Sequence, residues 1–148
     1  MRIDPVVTFT YLVVLAAPFA AYASVRRVRR GEHRTHRAIQ IATLVVCWIA
    51  VLALELRIRL GGGSGSLVAT APLELQPAAR ALLLVHIAFA MATFGVWTWL
   101  VVASSRRFTR ALPGSFSRRH KRAGKLVIGG LCFTAASATG MYAITTFA

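Results

Sequence analysis

The chain has 148 residues, 57% of them hydrophobic, and sets 18 Lys and Arg against four acidic residues for a net charge of +14. Such a charge ordinarily points to nucleic acid or an anionic surface. Here the cations fall in two clusters between four long uncharged runs, which no soluble core of this size needs. The pattern argues against nucleic acid and for an all-α polytopic membrane protein, a four-transmembrane-helix bundle whose partner is a lipid bilayer with anionic headgroups.

The first span is "PVVTFTYLVVLAAPFAAYASV", residues 5–25. Its "AYA" ending resembles a signal-peptidase site. The preceding region, however, offers only Arg2, offset by Asp4, and the dense basic cluster follows the span, so a retained helix is expected. "RRVRRGEHRTHR", residues 26–37, carries six Arg. The second span covers residues 38–56, with Glu55 its one charge. "GGGSGS", residues 61–66, reads as a flexible connector, and the loop 57–80 around it holds three cations. The third span is residues 81–103. The loop 104–125 holds eight cations and a turn signal, "ALPGS". The fourth span, residues 126–148, is uncharged. Positive-inside counting places the two cation-rich loops in the cytoplasm and both termini outside. Nothing in the chain reads as a soluble module, so one membrane-embedded domain, 1–148, is expected.

Few residues remain to carry chemistry, and their depth sorts them into two levels. A helix rises about 1.5 Å per residue, which separates the levels by roughly 20 Å. His33, His36 and His120 lie at the cytoplasmic ends of spans two and four. Their cationic neighbours repel a metal cation and suit an anionic partner, such as lipid headgroups or a haem propionate. His36 and His120, the candidate cofactor-binding pair, either converge there or point to opposite sides of the bundle as lipid-interface residues. At the outer level stand Glu55, His86, Thr139 and Tyr142, from three helices. A carboxylate at membrane depth is costly unless paired. Two arrangements are open: Glu55 pairs with Arg57 or Arg59 at the headgroups and His86 hydrogen-bonds to a neighbouring helix, or Glu55 turns inward to meet His86 at a metal site supported by Tyr142 and Thr139.

The remaining features have plainer readings. Cys47 and Cys132 read as small buried hydrophobes rather than a disulfide or metal pair. Trp97 and Trp99 read as an interfacial aromatic belt. Gly129, Gly130, Ala135, Ala136 and Gly140 make span four suited to close helix packing.

Four blocks, "HRAIQIATLVV", "LLLVHIAFA", "RRHKRAGKLVI" and "ATGMYAI", taken in order over roughly residues 34–144, resemble the successive signatures of the YozB/CtaM-like family of small bacterial membrane proteins. The resemblance implies a helical bundle in the bacterial cytoplasmic membrane that matures or supports haem–copper terminal oxidases, with the oxidase subunits as partners and haem or copper as cargo or cofactor. His36, His86 and His120 match the family's recurrent histidines, and Thr139, Gly140 and Tyr142 its last-helix block. The chain departs at the outer end of the second helix, where the family usually has a further histidine and this sequence has Ile58. Glu55, three residues back on roughly the same face, is the candidate replacement.

The functional expectation is thus an oxidase accessory or assembly factor with haem or copper at membrane-level histidines. The alternatives are a b-type haem electron-transfer protein and a cofactor-free structural subunit. No nucleophile–base–acid constellation suggests a hydrolytic enzyme. The sequence leaves a homo-oligomer open.

Overall fold

The computed structural model describes residues 4–63, 65–107 and 114–146. Among them the chain forms α1 (Pro5–Arg29), α2 (His33–Leu60), the one-turn α3 (Gly65–Val68), α4 (Gln76–Arg107) and α5 (Gly114–Thr146). All but α3 are long and apolar enough to cross a membrane. Large apolar side chains cover the outside of the bundle, among them Phe19, Leu52, Leu84 and Leu126, each at least 60% exposed. Such a surface is stable only against hydrocarbon, and the chain is a multi-pass membrane protein.

The helices outrun the apolar spans at their charged ends. α2 begins at His33 rather than residue 38, and α5 at Gly114 rather than residue 126. Arg and Lys are good helix formers, and their long stems let the charge reach the headgroups while the backbone stays helical. Of the turn signal "ALPGS", residues 111–113 lie outside the described residues, and Gly114 and Ser115 open α5.

Local chemistry fixes each end. Asp4 caps α1, accepting from the backbone N–H of Val6 at 2.9 Å and Val7 at 3.2 Å, with Pro5 in the first turn. Its other oxygen takes the Arg57 guanidinium at 2.7 Å, joining the start of α1 to the end of α2. Slight burial works against the Asp4 carboxylate, but the two N–H groups and Arg57 outweigh it and hold the carboxyl below its usual range. At the other end of α1, Gly31 at φ 79 lets the Gly31 and Glu32 N–H groups close back on the Val28 and Arg27 carbonyls. This is a Schellman cap. Gly62 (φ 99) performs the same reversal after α2, with the Gly63 N–H on the Ile58 carbonyl at 2.9 Å.

The tract 61–66 is therefore more than a tether. Its first three glycines terminate α2 and Gly65 opens α3, while Ser64 lies outside the described residues. Beyond α3, Val68, Ala71 and Ala79 pack with Leu83, Met141 and Ile144, closing the end of the bundle opposite the basic clusters.

The four long helices form a ring in the order α2, α1, α5, α4, with α2 and α4 meeting more loosely than the other neighbours. The core joins Ala17, Ala21, Leu44, Cys47, Phe94, Trp97, Val127 and Leu131. Trp48 and Trp97 each set an edge against Phe94, at ring separations of 5.7 and 5.9 Å. The small residues of α5 divide by face. A Cβ on Gly130 would collide with the Thr93 side chain and one on Gly140 would approach Leu82, so α5 and α4 touch there through glycine. Gly129 and Ala136 face outward instead. Cys47 is buried as expected, but Cys132 is exposed on the lipid side; both are free thiols.

Candidate functional site

At the cationic end the four long helices diverge around a cavity of about 650 Å³, lined by side chains of all four. That volume lies within the usual range for small-molecule sites, about 300–1,000 Å³. Its walls mix apolar groups such as Val25, Leu100 and Val127 with His33, His36 and His120, and with Arg29, Arg37, Lys121 and Lys125. None of the four acidic residues lines it. The cavity is amphipathic and positively charged.

His36 and His120 converge here, from α2 and α5. Their ring centroids lie 6.3 Å apart with the planes at 78°. The His36 Nδ1 is 3.1 Å from the Ser24 carbonyl oxygen. A carbonyl only accepts, so Nδ1 carries the proton, and in the neutral ring Nε2 keeps its lone pair. A histidine that donates one ring N–H to a backbone carbonyl is oriented as metal-ligating histidines are. Among the described residues, the His120 Nδ1 is buried without a hydrogen-bond partner. A buried polar atom in that state is expensive unless something else satisfies it, by about 1–3 kcal/mol. Phe116, one turn earlier on α5, lies against the His120 ring at 6.3 Å.

The support beneath His36 is a hydrogen-bond chain that sequence reasoning missed. The Trp97 indole N–H donates to Gln40 Oε1 at 2.7 Å, and Gln40 Nε2 donates to Ser24 Oγ at 2.5 Å. Ser24 Oγ donates to the Ala21 carbonyl at 2.7 Å. Ser24 is fully buried and Trp97 is 1% exposed. Trp97 is thus a core residue with a satisfied N–H, in contrast to the belt anchor expected; Trp99, 54% exposed, keeps that role. The one available signal was Gln40, a polar side chain within an apolar run.

The outer level does not assemble as a metal site. Glu55 is exposed and accepts from Arg59 at 2.7 Å, one turn along the same helix. It lies five residues from the end of α2, about 7.5 Å from the helix terminus. From that depth a carboxylate reaches a guanidinium at the surface without the cost of entering the bundle. His86 turns instead to α5, with Nδ1 2.8 Å from Ser137 Oγ. Ser137 donates to the carbonyls of Phe133 and Thr134 at 2.8 and 3.1 Å, so it accepts from His86. No hydrogen bond joins Glu55 to His86. Thr139 and Tyr142 face α1: Tyr142 stacks on Tyr11 at 4.6 Å and lies 3.4 Å from the Thr8 hydroxyl, while Thr139 is 3.3 Å from the Tyr11 hydroxyl. Among the described residues no three His, Cys, Asp or Glu side chains gather as a metal-holding group.

The fold and cavity define a class: a multi-pass helical membrane protein with a histidine pair in a cationic pocket at one end. No family model matches the chain, and neither a curated protein nor a solved structure matches it.

Proposed function

We propose that the chain is a haem-binding accessory factor of the bacterial cytoplasmic membrane, serving a respiratory haem–copper oxidase, with His36 and His120 as the ligands. The observation that carries the haem reading is the convergence of these two rings over an amphipathic cavity. The two ring centroids lie 6.3 Å apart, so His36 and His120 could both reach one iron through metal–nitrogen bonds of about 2 Å. The unpartnered Nδ1 of His120 and the free lone pair of His36 are the kinds of atoms such an ion would satisfy. A haem supplies iron redox and ligand-exchange chemistry. The chain supplies the two rings, apolar walls for the macrocycle and Arg29, Arg37, Lys121 and Lys125 for its carboxylates.

Haem is favoured over a bare copper ion. The surrounding cations oppose a naked metal, two histidines alone make a sparse ligand set, and the cavity has room for an organic molecule. The oxidase connection rests on the four sequence blocks, and positive-inside counting puts the cavity at the cytoplasmic face.

A second reading, a b-type haem electron carrier, draws on the same geometry, since bis-histidine ligation needs two rings at one depth on facing helices. Titration of the detergent-purified protein with haem tests both. A stoichiometric low-spin Soret band, lost in His36→Ala and in His120→Ala, is expected. A band that survives both substitutions, or none in the wild type, would refute haem ligation. Transfer of the haem to an apo-acceptor supports the accessory role, whereas retention through repeated redox cycles supports the electron carrier. A deletion strain with normal oxidase content would remove the oxidase from the account.

A further inference from the structure

A second concavity opens on the side of the bundle where α2 and α4 separate. It measures about 840 Å³ and is lined by Trp48 of α2 and by α4 residues running from Met91 through Gly95 and Trp99 to Arg106 and Arg107. The groove is apolar along its length and cationic at one end. Trp48 donates its indole N–H to Thr98 at 3.2 Å and meets Phe94 edge-on, so its N–H is already satisfied internally. A Cβ added to Gly95 would meet nothing within 4 Å, so the groove is open at that level.

Its length matches one leaflet. From Met91 to Val102 is eleven residues, about 16 Å of helix, against roughly 15 Å for half the hydrocarbon core. Arg106 and Arg107 lie one turn further, where a headgroup phosphate would stand. Arg107 rests on the Phe116 ring at 4.6 Å and gives one N–H to the Ala103 carbonyl. That fixes the guanidinium and leaves its other donors for an anion. Asp4, Glu32, Glu55 and Glu74, the acidic residues of the chain, do not line the groove. We infer that this groove binds one anionic phospholipid of the leaflet at the cationic end, with an acyl chain along Met91–Val102 and the phosphate on Arg106 and Arg107. The site is separate from the histidine cavity and independent of the haem reading.

Two arginines beside the headgroup should enrich an anionic lipid roughly thirtyfold over a zwitterionic one. The test exchanges the purified chain into nanodiscs of equal phosphatidylglycerol and phosphatidylcholine, extracts it into detergent, and counts retained lipid by native mass spectrometry. One phosphatidylglycerol per chain, enriched over phosphatidylcholine, is expected. Arg106→Gln with Arg107→Gln should abolish the enrichment. Gly95→Phe, whose Cβ would meet nothing within 4 Å at a residue that lines the groove, should lower retention of both lipids in a chain whose circular dichroism is unchanged. Arg118→Gln with Arg122→Gln, two exposed cations that do not line the groove, should retain the wild-type preference. Enrichment that persists without Arg106 and Arg107, or falls equally in the Arg118/Arg122 variant, would overturn the proposal. So would equal retention of the two lipids by the wild type, or quantitative dimerisation through a Trp99→Cys disulfide in the bilayer, which would put a second copy in the groove.

Discussion

The hydrogen bond between Trp97 and Gln40 can be measured on its own. Side-chain hydrogen bonds between membrane helices average about 0.6 kcal/mol and reach about 1.7 at most. The Trp97–Gln40 bond should lie near that upper limit: it is 2.7 Å long, its donor is 1% exposed, and its acceptor is oriented by a second bond to the fully buried Ser24. Gln40→Leu leaves the indole N–H stranded in the core, and Trp97→Phe leaves the amide oxygen unpaired. Each alone should cost about 1–3 kcal/mol. The double-mutant cycle of Gln40→Leu with Trp97→Phe, read by reversible unfolding in detergent, should give a coupling of about 1–1.7 kcal/mol. If the proposed haem site holds, haem affinity should fall in both single variants while the Soret position is unchanged, because His36 and His120 remain and only the floor beneath His36 loosens. A coupling no greater than experimental error would mean that the chain from Trp97 to Ser24 is packing rather than a clamp, and the reasoning about His36 would fail with it.

Four further outcomes follow from the same geometry. In a chain lacking Cys47 and Cys132, Ser115→Cys should react only from the cytoplasmic side and Leu73→Cys, at an 83% exposed position, only from outside; the reverse labelling would invert the topology. Gly130→Val should destabilise by about 1–3 kcal/mol, since its side chain would occupy the place of Thr93, whereas Gly129→Val should be near neutral, as measured by unfolding in detergent. Because the folded-state carboxyl of Asp4 titrates below its ordinary range, the stabilisation it gives is complete above that range and lost as the pH falls through the lowered value. Asp4→Asn should abolish that acid-side loss in a pH series of unfolding midpoints. His86→Ala should cost about 0.6–1.7 kcal/mol of stability and leave the haem titration unchanged, and a lost Soret band there would return the outer histidine to the site.

Depth along the membrane was legible in the sequence. Span number, the two histidine levels and the shared depth of His36 and His120 all follow from position along a helix, because a fixed rise per residue turns sequence number into height. Direction around each helix was less so. The apolar runs are hydrophobic on every side, so periodicity does not mark the inward face as it does in a soluble bundle. Trp97 and Trp99 differ by two residues and so by roughly 200° around α4; one is core and the other meets lipid. Cys47 and Cys132 divide in the same way.

Glu55 and His86 show what decides between partners once depth is shared. A carboxylate near a helix end has a nearby alternative in Arg59, which satisfies it at the surface without desolvation. His86, deeper, has no such exit, and the nearest solution is a hydroxyl on the adjoining helix. His36 and His120 lie near the cationic end too, yet both line the cavity inside the bundle. For His36 the Ser24 carbonyl supplies an acceptor; for the His120 Nδ1 nothing among the described residues supplies a partner. Two imidazoles thus stand over an amphipathic, cation-lined cavity, one of them with an Nδ1 that no described residue satisfies. The proposed haem site rests on that asymmetry.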